Sequence, residues 1–193
     1  MKKGKPLLKT ILISIVIFST LSFEVPEGWT KGKGKGTEEY EAGIDKGAGQ
    51  NGGNALTIKS INKKVKGMES LFQKALPGKF LGKRIKMSGF VKSENANAGG
   101  CLFIRTISNS KVISEDNMSH RLVKGTSSWK KYDLVLDVPV NTTVMSYGGI
   151  LHNSGQIWFD DISFEIVPDS IKVTNGGDEN NILPEPTNTN FDK

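Results

Sequence analysis

The sequence contains few of the residue types from which covalent cross-links and common active sites are built. Its 193 residues include one cysteine, Cys101, and two histidines. A single cysteine excludes an internal disulfide framework and a metal site with several cysteine ligands. The two histidines lack metal-ligand spacing, and no serine lies in the Gly-x-Ser-x-Gly pattern of a nucleophile elbow. We therefore expect a protein that is not an enzyme.

The net charge of the chain is also small once the N-terminus is set aside. The chain carries 26 Lys and Arg against 20 Asp and Glu, a formal charge of +6. Several lysines precede the first acidic residue, Glu24, and without residues 1–22 the excess falls to +2. A basic surface is the main attraction for a nucleic acid backbone. The small excess therefore predicts no nucleic acid partner.

Residues 1–22 have the pattern of a secretory signal. A lysine-rich start is followed by an apolar run over residues 10–23, which is shorter than the ~20 residues that a membrane-spanning helix needs. Small residues at Thr20 and Ser22 predict cleavage before Phe23. We expect an exported protein, secreted or associated with the cell envelope. An uncleaved N-terminal anchor is the alternative, and it would be the chain's contact with a membrane.

Short apolar or alternating runs, separated by glycine, asparagine and serine, predict an all-β domain. Predicted strands cover residues 55–60, 83–92, 101–107, 132–138, 143–151 and 156–167. In the second run Ile85, Met87 and Val91 share one face, as in a half-buried antiparallel sheet. Helical periodicity is credible only over residues 68–75, before Pro77-Gly78. These patterns predict an antiparallel β-sandwich of the jelly-roll type.

The chain length and the predicted strands indicate a single folded domain over residues 23–167. Residues 168–193 are rich in Asn, Asp, Thr and Pro, and we predict a flexible polar tail. Its last residues, Asn188-Thr-Asn-Phe-Asp-Lys193, resemble the start of the domain at Phe23-Glu24. Either a second copy begins here in a tandem relative, or the match arises by chance in an Asn-rich tail.

Several short motifs carry a resemblance to a known group of domains. They are Gly28-Trp29, Ala55-Leu-Thr-Ile-Lys-Ser60, Gly82-Lys-Arg-Ile85 and Trp158-Phe-Asp-Asp-Ile-Ser163. The set resembles galactose-binding-like jelly rolls, among them the CenC-like carbohydrate-binding modules. The resemblance covers about residues 23–167. It implies a galactose-binding-like fold, and it implies carbohydrate binding less specifically, because this fold hosts many ligands.

A second group of motifs is similar to a bacterial domain found beside transcription-regulator modules. The matching residues are Asp116-Asn-Met118, Arg121, Gly125-Thr126, Trp129 and Val135-Leu-Asp-Val-Pro139. This similarity implies the same fold with a ligand-sensing or protein-contact role.

Arg105 is our first candidate for ligand contact. If Leu102 and Ile104 face the core, Phe103 and Arg105 share the opposite face of their strand. An aromatic ring stacks on the CH groups of a sugar, and a guanidinium donates hydrogen bonds to its hydroxyls. Two alternatives stay open. This face is an ordinary solvated surface, or the alternation is reversed and Phe103 faces the core.

A polar loop after that strand supplies three more candidates, Asp116, Asn117 and Arg121. They match the regulator-associated domain residue by residue, and loops on a rigid sandwich commonly carry binding groups. The alternative is that these side chains hold the loop itself. Asp and Asn bond nearby backbone amides, and Arg121 has Asp116 within the same loop.

Aromatic side chains supply one further candidate. Tyr147 completes the ligand-binding set, although the pattern of its strand does not fix which face it occupies. Trp129 and Trp158 are predicted in the core. Trp29 and Tyr40 lie nearer the loops, where they are freer to be exposed.

Asp160 and Asp161 are adjacent carboxylates. Neighbouring residues of a strand point to opposite faces, so the pair does not suit acid–base catalysis on one bond. In the carbohydrate-binding modules that the chain resembles, an Asp at this place helps to hold a structural calcium ion. The resemblance implies Asp160 and Glu24 as its ligands, with carbonyls at Gly52-Gly53. The alternative is a carboxylate that accepts hydrogen bonds from backbone amides.

The sequence and its resemblances favour an exported, non-catalytic module that recognises a polysaccharide or a cell-envelope glycan. Two other hypotheses remain open. One is a ligand-sensing or protein-contact domain whose partner is another protein domain. The other is a fragment of a larger multidomain protein that has lost its role. No cofactor other than the calcium ion is implied.

Overall fold

The computed structural model describes residues 23–34 and 36–175. The predicted secretory signal and the end of the tail, including residues 188–193, lie outside them. The strands of the described part are β1 Trp29–Lys31, β2 Tyr40–Asp45, β3 Ala55–Ser60, β4 Met68–Ala75, β5 Lys83–Ser108, β6 Lys111–Asp116, β7 Val123–Val138, β8 Val144–His152 and β9 Gln156–Ile166. Short 3-10 turns lie at Thr37–Glu39 and Gly78–Phe80. No helix within the described ranges is long and apolar enough to cross a membrane.

The strands form two layers that share β5. We call front sheet the layer formed by β1, β4, β8, the second half of β5 and β6, in that order. We call back sheet the layer formed by β7, the first half of β5, β9, β3 and β2. These pairings are all antiparallel. The predicted all-β, antiparallel sandwich is therefore confirmed.

Strand β5 changes layer through a series of irregularities near its middle. Its register with β7 shifts repeatedly between Val91 and Gly100, and Asn95 has a φ of 50°. A Cβ added at Gly100 would lie 2.4 Å from a side-chain carbon of Ile157. The strand therefore passes from one layer to the other at a position where no side chain fits. Bulges and glycines bend a strand locally and allow close backbone approach. The two strands predicted at residues 83–92 and 101–107 are thus one continuous element.

The core lies between the two layers. Ile85, Met87 and Val91 are fully buried, which confirms that they share the inner face. A Cβ added at Gly89 in the back sheet would lie 2.9 Å from a side-chain carbon of Leu102. Leu102 therefore points inward, and its neighbours in the front sheet alternate between the core and the outer face.

The helix predicted over residues 68–75 is wrong, because this segment is strand β4. It pairs with β8 along its whole length, from Met68 opposite His152 to Ala75 opposite Met145. Its larger apolar residues follow a helical spacing, but burial follows a period of two, with Glu69 and Leu71 inside. Pairing with a central strand overrides the local pattern.

The predictions for four aromatic residues have mixed outcomes. Trp158 is buried as predicted, and its indole N–H donates to the Asp45 carboxylate at 2.7 Å. Trp129 is only partly buried beside Lys92, so its prediction as a core residue is wrong. Tyr40, predicted to be free for exposure, is buried and donates its hydroxyl to the Asn153 carbonyl at 2.9 Å. Trp29 is partly buried against the core.

The chain beyond the last strand packs against the sandwich as far as it is described. Arg84 donates to the carbonyls of Asp169 at 2.6 Å and Ile171 at 2.8 Å. The amide of Thr174 donates to the Val135 carbonyl on the edge of β7 at 2.9 Å. Polar groups of residues 169–174 thus find partners along an open sheet edge, and the flexible tail stays a prediction.

Glu69 is a carboxylate buried between β1 and the core. Its Oε1 accepts hydrogen bonds from the amides of Gly32 at 2.8 Å and Ser70 at 2.7 Å. Its Oε2 has no hydrogen-bond partner within the described ranges and lies 4.0 Å from the Lys31 ammonium. Burial raises the pKa of Glu69 above its ordinary value, and the two amides and Lys31 oppose the increase.

We expect Glu69→Gln to stabilise the protein at neutral pH. A raised carboxyl pKa stabilises the fold fully below the ordinary pKa, and this contribution is lost as the pH rises through the raised value. Glutamine keeps the acceptor oxygen and carries no charge. Urea unfolding across pH ~4 to ~8 should show the gap between variant and wild type widening as the pH rises. The exposed Glu27→Gln is the matched control, and a gap independent of pH would contradict the prediction.

Candidate functional site

A groove crosses the outer face of the front sheet, and we call it the face groove. Its volume is about 510 Å³. The strands contribute Met68, Arg105, Ile150 and His152, and the loop between β6 and β7 contributes Asn117, Ser119 and Leu122. Two of the residues predicted from the sequence, Arg105 and Asn117, are therefore brought together here.

Arg105 lies in the face groove with part of its hydrogen-bonding capacity unused. Its guanidinium lies over the Phe103 ring, 4.6 Å from the ring centroid, and 3.1 Å from a carboxylate oxygen of Glu115. Its Nε is buried and has no partner among the described residues. The side chain is 31% exposed, so N–H donors at the end of the guanidinium, but not the buried Nε–H, are open to a ligand.

Phe103 does not offer an open ring. The residue is 2% exposed, although it shares the outer face with Arg105, as the first of the two alternations predicts. The Arg105 guanidinium lies over its ring. The prediction that Phe103 stacks on a ligand is therefore wrong, and its ring supports the arginine instead.

Asp116 and Arg121 hold the loop rather than face the groove. Asp116 is 2% exposed, and its carboxylate accepts hydrogen bonds from the Met118 amide at 2.9 Å and the Arg121 guanidinium at 2.7 Å. The Thr174 hydroxyl donates to the same carboxylate. Arg121 also donates to the Thr174 carbonyl at 2.8 Å. Neither residue lines the groove, so the structure favours the loop-holding alternative for both.

Asn117 combines a structural contact with a free amide. Its Oδ1 accepts a hydrogen bond from the Ser119 amide at 3.1 Å, which fixes the side chain in a local turn. Its NH₂ group makes no hydrogen bond to the residues that the structure describes. Two N–H donors are thus held in place on the wall of the face groove.

Tyr147 lies on the wrong face for this site. Tyr147 is opposite Ile104 in the sheet, and directly paired residues share a face, so it points between the layers. Its ring packs against Phe164, with the centroids 4.8 Å apart, and its hydroxyl bonds to the Gln73 side chain. The register of β8 against β5, which the sequence does not reveal, decides this.

Sequence reasoning missed His152, Met68 and Ile150. Burial lowers the pKa of His152, so its imidazole is neutral near pH 7 and offers one donor and one acceptor. Ile150 lies opposite Cys101 and forms part of the apolar floor. Alternation within β8 places Ile150 and His152 on one face of the strand. Only the pairing with β5 reveals that this face lines the groove.

Cys101 is not suited to nucleophilic chemistry. Burial raises the pKa of its thiol to about 12, and the nearby Asp116 carboxylate adds to the increase. A thiol in this state stays protonated at neutral pH, whereas nucleophilic cysteines are thiolates.

The carboxylate of Asp160 is hydrogen-bonded to backbone amides. Its two carboxylate oxygens accept hydrogen bonds from the amides of Gln50 at 3.0 Å and Asp161 at 2.8 Å. The carbonyl of Glu24 accepts from the Ile44 amide at 2.8 Å. Within residues 23–34 and 36–175, no cluster of three or more His, Cys, Asp or Glu side chains is arranged to hold a metal ion. These contacts do not fit the calcium hypothesis, which stays a prediction with Glu24 and Asp160 as its residues.

Comparison with known proteins gives a relative by sequence. No family model matches the chain. The chain is 33% identical over 169 residues to an uncharacterised HTH-type transcriptional regulator, YbfP, of Bacillus subtilis strain 168. The match covers 86% of this chain, and the chain spans 57% of the length of the regulator.

Solved structures resemble the chain in fold. The CBM22-1 and GH10 modules of Clostridium thermocellum xylanase 10B, complexed with xylohexaose, match with a TM-score of 0.53 at 14% identity, covering 77% of this chain and 28% of that chain. The CBM22-1 xylan-binding domain of Paenibacillus barcinonensis Xyn10C matches with a TM-score of 0.51 at 12% identity, covering 76% and 90%. The chain therefore has the galactose-binding-like jelly-roll fold, and its similarity to a regulator agrees with the second resemblance found in the sequence.

We expect Asp160→Ala to lower the free energy of unfolding by about 1 kcal/mol, because the partly buried Gln50 amide and the exposed Asp161 amide both lose their acceptor. If the carboxylate serves only those amides, the loss is equal in excess calcium and in a chelator. Thermal or urea unfolding in both conditions is the measurement. Asp161→Asn is the matched control at the neighbouring carboxylate. Calcium that stabilises the wild type but not the Asp160 variant would instead establish the metal site.

Proposed function

We propose that this chain is a non-catalytic carbohydrate-binding domain, exported from the cell, that holds a glycan in the face groove. The observation that carries the proposal is a set of unused hydrogen-bond donors fixed on a rigid sheet and loop. Asn117 and the exposed end of the Arg105 guanidinium supply these donors, and His152 adds a neutral imidazole. The likeness in fold to xylan-binding domains supports a glycan as the ligand.

The groove has the two kinds of surface that a sugar ring requires. Sugar hydroxyls accept hydrogen bonds from amide and guanidinium N–H groups. Met68, Leu122 and Ile150 provide apolar surface for the CH groups of the ring. Among the described lining residues there is no Trp, Tyr or Phe. We therefore expect weak binding of a single ring, dominated by hydrogen bonds rather than by stacking.

The loop that forms one wall is organised before any ligand arrives. Asp116, Arg121 and Thr174 connect it to β7 and to the segment after the last strand. A loop already fixed in its bound conformation loses little entropy when a ligand binds. These three residues therefore support affinity by holding the loop in position, without contacting the ligand.

Several features support a non-catalytic role. The carboxylates of Asp116 and Asp160 are both engaged with backbone amides. The thiol of Cys101 is protonated at neutral pH. Among the described residues that line the face groove there is no Asp, Glu or Cys to form an acid and base pair with His152.

A ligand-sensing domain is the second candidate, and the 33% identity with a transcriptional regulator favours it. In that case the same groove detects a ligand on behalf of another protein domain. The unfolding temperature of the full chain, measured against a panel of soluble glycans, separates the candidates. A glycan that stabilises the fold supports the first, and no stabilisation by any glycan supports the second.

We expect Asn117→Asp to weaken glycan binding about fivefold, the equivalent of one hydrogen bond of about 1 kcal/mol. Aspartate retains the acceptor that caps the Ser119 amide and removes the NH₂ donors. Titration of the full chain with xylohexaose, followed by calorimetry or NMR, is the measurement. Asn54→Asp is the matched control, since Asn54 caps the Gly47 amide in the same way at 3.3 Å, outside the groove. Equal affinities for both variants would place the ligand elsewhere.

We expect the exported protein to begin at Phe23. The intact mass of protein recovered outside the cytoplasm of a bacterial host tests this. Replacing the small residue before the cleavage site, Ser22→Phe, should block processing. Full-length protein found in the membrane would indicate an uncleaved anchor, and full-length protein in the cytoplasm would contradict export.

A further inference from the structure

A second groove lies at the end of the sandwich where β3 ends, β5 changes layer and β9 begins. We call it the end groove, and its volume is about 740 Å³. It shares no lining residue with the face groove. The proposed function does not involve it.

The backbone beneath the end groove is held by hydrogen bonds from β3 and β5 to the turn before β9. The Ser60 amide donates to the Gly155 carbonyl at 2.9 Å, and the Gly155 amide donates to the Ser60 hydroxyl at 3.0 Å. The Asn97 amide donates to the Ser154 carbonyl at 2.9 Å. These bonds connect β3 and the bulged part of β5 to the turn before β9, so the floor is formed in advance.

Close backbone packing forms the same floor. Gly155 has a φ of 126°, and a Cβ added there would lie 2.4 Å from the Asn95 carbonyl oxygen. Only glycine tolerates both constraints. Asn95 itself has a φ of 50°, a conformation that asparagine accepts more readily than most residues. The irregular backbone thus sets the Asn95 side chain at the lip of the groove.

Five of the polar side chains that line the end groove make no contact that stabilises the fold, whereas Ser60, Asn62 and Gln156 are hydrogen-bonded within it. The side-chain amides of Asn95 and Asn97 make no hydrogen bonds to the described part of the chain. The same holds there for the charged groups of Lys59, Lys63 and Glu94, which form no ion pairs. A rigid floor with uncommitted donors and acceptors above it is the arrangement of a binding site.

The chemistry of these groups selects a neutral polyhydroxyl ligand. Side-chain amides both donate and accept, as pairs of sugar hydroxyls do. Glu94 in the groove offsets one of the two lysines, and Glu39, which accepts from the Asn62 amide at 3.0 Å, adds negative charge at the rim. An anion would therefore find little excess positive charge. Ile61 is 57% exposed beside these groups and offers apolar surface to a ring.

We propose that the end groove binds a neutral sugar unit of a glycan, independently of the face groove. The contacts are the amides of Asn95 and Asn97 and the ammonium groups of the two lysines, with Ile61 against the CH face of the ring. Two sites on one domain allow one long glycan, or two glycan chains, to be held with greater avidity than either site gives alone.

NMR titration of the full chain tests the proposal, because each groove has its own side-chain amide signal. The probes are xylohexaose, cellohexaose, mannohexaose and inorganic phosphate. We expect at least one hexaose to shift the side-chain amide signals of Asn95 and Asn97 at millimolar concentration. The shifts should be unchanged by added sodium chloride, since the contacts are hydrogen bonds to a neutral ligand.

Matched variants assign the shifts to this groove. Asn95→Gly keeps the positive φ and removes the amide, and combined with Asn97→Ala it should weaken binding at the end groove at least fivefold. Asn109→Gly is the control, because Asn109 has a φ of 48° and lies outside both grooves. Circular dichroism and the unfolding temperature check that each variant is folded.

Each outcome separates this proposal from the proposed function. Shifts of Asn117 alone would overturn the end groove and leave the face groove standing. Shifts of Asn95 and Asn97 alone would support the end groove and overturn the face groove. If only phosphate shifts these two signals, or if no hexaose shifts them, the end groove is not a sugar site.

Discussion

The rest of this structure depends on β5, which has to belong to both layers of the sandwich. Its first half pairs with β7 and β9, and its second half pairs with β8 and β6. The change of layer requires glycines and a residue with positive φ, since a regular strand with side chains would collide with β9. The irregular middle contributes Asn95 and Asn97 to the end groove, and the regular second half carries Arg105 into the face groove. One topological constraint therefore places both grooves.

The buried carboxylate of Asp116 shows how the fold holds a loop at the seam between the layers. A charge buried in this way is costly unless it is paired and fully hydrogen-bonded. The Met118 amide, the Arg121 guanidinium and the Thr174 hydroxyl meet that requirement. Through them the segment after the last strand is joined to the wall of the face groove. Asp116 and Arg121, which the sequence offers as candidate ligand contacts, therefore support the wall of the groove.

The recognition that we propose for both grooves rests on amides and cations rather than on open aromatic rings. Phe103 is covered by Arg105, and Trp158 is buried and bonded to Asp45. Hydrogen bonds to hydroxyls discriminate by position but contribute modest net free energy each. This chemistry suits a domain whose individual sites are weak and whose affinity comes from several contacts along a chain. It also suits a sensor, for which reversible binding is an advantage.

The sequence by itself determined the all-β class and the inward face of residues 83–92, because alternation is a local property of a strand. It left two alternations open for the strand of Arg105, and the pairing of β5 with β8 decided that Arg105 faces outward. Tertiary structure decided which outward residues meet. The register of β8 against β5 turned Tyr147 inward and brought His152 into the face groove. Pairing with β8 also made residues 68–75 a strand despite their helical spacing. These outcomes depend on partners far away in the chain, and a single sequence carries no direct signal of register.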